Sequence, residues 1–174
     1  MDNSHFIWNF RGRSSMRIKG FDYRQPADYF VTLCAYNRGC IFGQIENDRM
    51  ITNEFGNIVQ DRWLYTPTVY PNVELGPFVV MPNHFHGIIS ILGDEECTLK
   101  HNALRHPALG TLIGTFKQSV TKSIRPISSE FFIVWQRLYW ESVIRSEQNY
   151  DAVAEYIINN PQNWNKDEFN PDTR

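Results

Sequence analysis

Cysteine is scarce in this chain: there are three in 174 residues, Cys34, Cys40 and Cys97, with no CxxC pair among them. That excludes a disulfide-stapled secreted scaffold and a cysteine-built zinc module, and it fits a reducing cytoplasm. Long apolar runs are missing too. No stretch approaches the roughly 18 uncharged apolar residues of a membrane-spanning helix. The opening MDNSHFIWNFRGRSSMRIKG lacks the apolar centre of a secretory leader. Repeats, low-complexity tracts and Pro/Gly-rich linkers are absent, so a length of 174 residues reads as one domain with room for a core. Charge of one sign is lacking as well. The net charge is −2, so the total gives no sign of a partner that is itself highly charged.

Hydrophobic residues make up 42% of the chain and aromatics 14%, which is a globular composition. The charges, although balanced, are segregated. Residues 98–129 hold Lys100, Arg105, Lys117, Lys122 and Arg125 and no acid, and residues 11–24 hold Arg11, Arg13, Arg17, Lys19 and Arg24 against Asp22 alone. Acidic residues collect in 44–61, 94–96 and the C-terminal third. Such segregation can give a near-neutral protein one basic face suited to nucleic acid. The plainer alternative is an ordinary solvated surface. The candidate contacts are Arg13, Arg17, Lys19, Lys117, Lys122 and Arg125, with Arg137 on a strand further on.

Periodicity predicts the elements. ADYFVTLCAYN, 27–37, is a strand rich in aromatic and β-branched residues. CIFGQIENDRMIT, 40–52, is a small hairpin turning at Glu46-Asn47-Asp48. NEFGNIVQDRWLYTPTVYP is a helix interrupted before Pro67. NVELGPFVVM is a strand, Pro82-Asn83 a tight turn with Asn in the left-handed region, and 84–92 the returning antiparallel strand. ALGTLIGTFKQSVTKSI is a helix with Leu112, Ile113, Phe116 and Val120 inward and Lys117 and Lys122 off that stripe. QRLYWESVIR is a strand, and the last helix runs from an N-cap at Ser146 to a stop at Asn160-Pro161. The order predicts an α+β domain: one antiparallel sheet with helices packed mainly on one face.

Within VVMPNHFHGIISIL, 79–92, a strand puts His84 and His86 on one face and Phe85 on the other. Two same-face imidazoles suit a divalent metal, although either can be a structural histidine with an ordinary hydrogen-bond partner. In the last helix Tyr150, Val153, Ala154, Ile157 and Ile158 form the packing stripe. Tyr156 lies off that stripe, with Asn160 one turn above it. A boundary tyrosine and a capping asparagine would account for that pair alone. Joined to the histidines, they make a different set: two imidazoles and an amide oxygen leave open positions on a metal, and a phenol beside it can attack phosphorus.

VVMPNHFHGI followed downstream by YIINNP resembles the HUH single-tyrosine transposases, in the branch associated with repetitive extragenic palindromes (REP). RSSMRIKGFDY, YFVT, NEFGNIV and VWQRLYWESVIR extend the resemblance over roughly residues 13–164. It implies a ferredoxin-like or RRM-like antiparallel sheet. It also implies His84, His86 and Asn160 as ligands to Mg²⁺ or Mn²⁺ and Tyr156 as the nucleophile. The implied activity is cutting of single-stranded DNA near hairpin or palindromic ends through a 5′-phosphotyrosine, followed by strand rejoining. On this reading residues 1–26 are a basic N-terminal segment, 27–164 the nuclease domain and 165–174 a polar tail. Relatives act as monomers or as homodimers that exchange tyrosine helices. Ser142 departs from the pattern, since relatives often carry His after the Glu of WES. Two other readings compete: an RRM-like module that binds hairpins without cutting, its sheet aromatics stacking on bases, and an unrelated His-x-His metalloenzyme acting on a small molecule.

Overall fold

A computed structural model describes residues 20–93, 107–128 and 133–173. In chain order the elements are β1 (Ala27–Cys34), β2 (Gly43–Glu46), β3 (Arg49–Thr52), α1 (Glu54–Leu64), the one-turn α2 (Thr66–Val69), β4 (Val73–Val80), β5 (His84–Ile91), α3 (Leu109–Ile124), β6 (Trp140–Ile144) and α4 (Glu147–Asn159). Short 3₁₀ turns follow at Pro161–Lys166 and Pro171–Thr173. No helix among the described residues is long and apolar enough to cross a membrane.

The main sheet has the order β4-β5-β1-β6, with every neighbour antiparallel. It is the interleaved β-α-β-β-α-β arrangement, in which each helical connection skips over one strand of the opposite direction. That topology is the expected ferredoxin-like one. The hairpin β2–β3 stands apart as a two-stranded ribbon. Its turn residues Asn47 and Asp48 have φ of 49° and 60°, the left-handed pair that a two-residue hairpin turn requires.

Alternation along the strands divides the core in two. Tyr29, Val31 and Leu33 of β1 and Phe85, Ile89 and Ile91 of β5 face α1 and α3, where Val59, Trp63, Leu112, Ile113, Phe116 and Val120 close over them. Phe30, Ile88 and Ile144 face the other way and meet Ile157 of α4. Two long helices therefore share one face, and the third covers the face that carries the histidines.

α4 comes close because β4 gives way beneath it. A bulge lies between Leu75 and Phe78, and a Cβ added at Gly76 would stand 2.5 Å from Tyr150 Oη. The helix begins as expected, with Ser146 Oγ accepting from the Asn149 N–H at 3.2 Å. Its contact face, however, is turned toward Tyr156 and Asn160. Ile157 and Asn160 are buried, whereas Ile158, expected on the packing stripe, is 65% exposed.

Candidate active site

His84 and His86 are both fully buried on the α4 face of β5, with ring centroids 4.6 Å apart. Pairing places His86 opposite Thr32 and His84 opposite Cys34 of β1. Thr32 Oγ1 lies 2.8 Å from His86 Nδ1. His84 Nδ1 lies 2.9 Å from Asn83 Oδ1.

The tautomer of His84 follows from donor counting. Asn83 Nδ2 donates to the Phe169 carbonyl at 2.7 Å and to the Arg38 carbonyl at 3.1 Å. Both of those partners only accept, so the amide orientation is decided and Oδ1 is the acceptor left for His84. Nδ1 must then carry the proton, and Nε2 presents its lone pair. Burial disfavours the imidazolium at both rings. It pushes His84 well below its usual value, helped by His86 and Arg38 and opposed by Asn160, and it pushes His86 down to about 3.

His86 completes a chain. Its Nε2 is 3.3 Å from Tyr156 Oη, a long contact whose direction follows the His86 tautomer. Tyr156 stands edge-on to His86 at 5.3 Å and to Phe30 at 6.0 Å, and it remains 40% exposed. Burial, reinforced by the Asp167 charge, raises the phenol above its ordinary value, while the Asn160 side chain acts in the opposite direction.

The fit to a divalent metal rests on two buried atoms. His84 Nε2 and Asn160 Oδ1 are both buried and have no hydrogen-bond partner. Both are acceptors, so an added acceptor cannot satisfy them but a cation can. Among the described residues no three His, Cys, Asp or Glu side chains form a metal-holding group by themselves. Asn160 Oδ1 is the second buried acceptor left without a partner. The Asn160 side chain interacts with His84 and with Tyr156, raising the pKa of the one and lowering that of the other.

Several features escaped the sequence reading. Asn83 was expected for its backbone, in the left-handed region. The described residues with positive φ do not include it, and its buried side chain is what the turn contributes. Residues 165–174 were expected as a polar tail, and within the described part, 165–173, Asp167 and Phe169 stand against the site. Phe169 is buried 4.6 Å from His84, ring to ring, and Asp167 Oδ2 is 3.8 Å from His84 Nε2. Trp164 and Phe169 were the available signal, because large aromatics in a polar segment need somewhere to be buried. Ser142 pairs with Phe30 and so shares the α4 face.

The basic residues sort differently. Lys117, Lys122, Arg125 and Arg137 line a single groove of about 390 Å³ between α3 and the segment 133–137, with Trp135 at its side. Lys117 is part of the frame there. Its Nζ donates to the carbonyls of Gln136 at 2.6 Å and Arg137 at 3.1 Å, and burial lowers its pKa to about 8. Lys122 and Arg137 are exposed. Arg13, Arg17 and Lys19 lie outside the described residues.

No protein-family model matches the chain. An uncharacterized protein of Haemophilus influenzae (strain ATCC 51907 / DSM 11121 / KW20 / Rd) is 40% identical over 167 residues, spanning 90% of this chain and 92% of its own. Among solved structures, a REP-associated tyrosine transposase bound to a REP hairpin superposes with a TM-score of 0.59 at 17% identity, over 86% of this chain and 73% of that one.

Proposed function

The chain belongs to one family with the Haemophilus influenzae protein and has the fold of a REP-associated tyrosine transposase, and from that premise we propose that it nicks and rejoins single-stranded DNA near hairpins, with Tyr156 as nucleophile and a divalent metal, Mg²⁺ or Mn²⁺, as cofactor. The observation that carries this reading is the 3.3 Å approach of Tyr156 Oη to His86 Nε2, beside the unpartnered His84 Nε2 and Asn160 Oδ1.

His84, His86 and Asn160 would hold the metal through those atoms. When bound, the metal supplies charge stabilisation to a phosphate oxygen and favours the phenolate. Every other part of the chemistry belongs to the chain. Tyr156, released from His86, gives up its phenol proton to water and its oxygen attacks phosphorus. The bond from phosphorus to the 3′ oxygen breaks, and that oxygen leaves as a hydroxyl after taking a proton from water. The 5′ side stays on Tyr156 as a phosphodiester, so attack by a 3′-hydroxyl can rejoin strands without an outside energy source. Thr32 and Asn83 keep both imidazoles oriented, and Phe30, Trp164 and Phe169 line their surroundings with rings. Tyr156 meets His86 of its own chain, so one chain carries both the tyrosine and the histidines of the site.

The non-cutting, RRM-like alternative loses its platform. Bases would stack on the sheet face opposite α1 and α3, yet Phe30 there is buried and α4 covers it. Mg²⁺- or Mn²⁺-dependent nicking of hairpin-bearing oligonucleotides is the test. His84→Ala and His86→Ala should each slow it by ~100-fold or more, since several kcal/mol of charge stabilisation depends on the ligands. Nicking at the wild-type rate by either variant, or undiminished by chelator, would remove the metal from the account.

A further inference from the structure

We infer that Asp167 is a fourth protein ligand to the divalent cation, so that the loop after α4 brings a carboxylate to a site that the histidines and Asn160 leave open. The inference deepens the proposed metal-dependent reading and rests on it.

Three acceptor atoms carry the inference. Nε2 of His84 presents a lone pair, because Nδ1 must be the protonated nitrogen facing Asn83 Oδ1. Oδ1 of Asn160 is a carbonyl oxygen, buried and without a hydrogen-bond partner. Oδ2 of Asp167 stands 3.8 Å from His84 Nε2, with 6% of the side chain exposed. That distance is beyond the ~2.8 Å of a charge-assisted hydrogen bond, so the pair has not closed as one. It suits two ligands of one ion instead. With bonds of ~2.1 Å, two donor atoms are ~3.0 Å apart at a right angle and ~4.2 Å apart when opposite.

The loop fixes this carboxylate and aims it. Oδ1 accepts from the Phe169 N–H at 2.7 Å, which leaves Oδ2 to face the imidazole. Phe169 O accepts from Asn83 Nδ2 at 2.7 Å, and Arg38 Nη1 donates to Glu168 O at 3.1 Å while its guanidinium lies 4.9 Å over the Phe169 ring. Asn83 thus ties His84 with one end of its amide and the Asp167 loop with the other. Two imidazoles, an amide oxygen and a carboxylate make an N₂O₂ set whose single negative charge half-neutralises a dication. As they stand, His84, His86 and Asp167 do not form a metal-holding group by themselves among the described residues, so cation binding would have to draw Oδ2 inward from 3.8 Å.

The measurement is Mn²⁺ binding to DNA-free, chelator-stripped protein by calorimetry, with thermal melting in chelator alongside. Wild type should bind one Mn²⁺, and His84→Ala should abolish it. Asp167→Asn should weaken the Kd at least ~10-fold, the smaller effect expected even for a group that only supports a ligand. In chelator Asp167→Asn should melt at or above the wild-type temperature, because it removes a buried charge from among acceptors. An unchanged Kd for Asp167→Asn, with His84→Ala still defective, overturns the Asp167 assignment and leaves the metal reading standing. A lowered melting temperature in chelator with an unchanged Kd would make Asp167 a structural partner of His84. Absence of Mn²⁺ binding by wild type overturns both.

Discussion

The amide of Asn83 uses both of its ends, and Thr32 does for His86 what Asn83 does for His84. Each imidazole has Nδ1 engaged and Nε2 turned toward the site. Such support fixes tautomer and ring orientation, and its loss elsewhere costs 10–100-fold in metal affinity or activity. Thr32→Val keeps the shape and removes the hydroxyl that meets His86 Nδ1. It should weaken Mn²⁺ binding about 10-fold while the fold, checked by circular dichroism, is retained; unchanged affinity would mean that packing against Phe30 alone holds the His86 ring. Neither partner was legible from the sequence. Thr32 lies 54 positions from His86, and only the strand register brings them together. Asn83 reads as turn chemistry because Pro-Asn is a turn pair, and nothing local says that its side chain will be buried. The histidines themselves were legible, because alternation along a strand needs no tertiary information.

At the scale of elements, α4 shows where helical periodicity stops being informative. Its start and end were set by Ser146 and Asn160-Pro161, and the chain obeys both. Its orientation about its own axis was not. Five apolar residues define a broad stripe, and Phe30, Ile88 and Ile144 of the sheet take the edge at Ile157 and leave Ile158 in solvent. α3 carries a second lesson. Lys117 lies off the apolar stripe and so reads as surface charge, yet its ammonium closes the carbonyls of Gln136 and Arg137. A lysine stem can bury along a wall and end on backbone acceptors, which no pattern of apolar spacing reports. The groove prediction follows from that division. Lys122→Ala with Arg137→Ala should lower the slope of log affinity against log salt by about 1.4 for a single-stranded hairpin oligonucleotide, two phosphate contacts at about 0.7 each. Lys117→Ala should instead lower thermal stability. A salt slope unmoved by the double substitution would return the groove to ordinary solvated surface.

The whole molecule is organised by its sheet. α1 and α3 build the larger core on one face, which lets the other face hold polar groups under a single helix. The fold class was legible because the element order, read from periodicity and breakers, leaves few topologies for one antiparallel sheet. The wall after α4 was not, since 3₁₀ turns have no apolar period and Asp167, Phe169 and Asn170 are held by turn and side-chain hydrogen bonds. The central claim is that Tyr156 is the nucleophile, and the most direct measurement is peptide mapping of a covalent protein–DNA adduct. A single-stranded hairpin oligonucleotide labelled 3′ of the nick is incubated with Mn²⁺ or Mg²⁺, digested with protease and sequenced by mass spectrometry. The account predicts the label on Tyr156 alone, with none on Tyr150 of the same helix, and predicts that Tyr156→Phe forms no adduct while binding the oligonucleotide as tightly as wild type. An adduct mapped to another residue, or one formed undiminished by Tyr156→Phe, would contradict it.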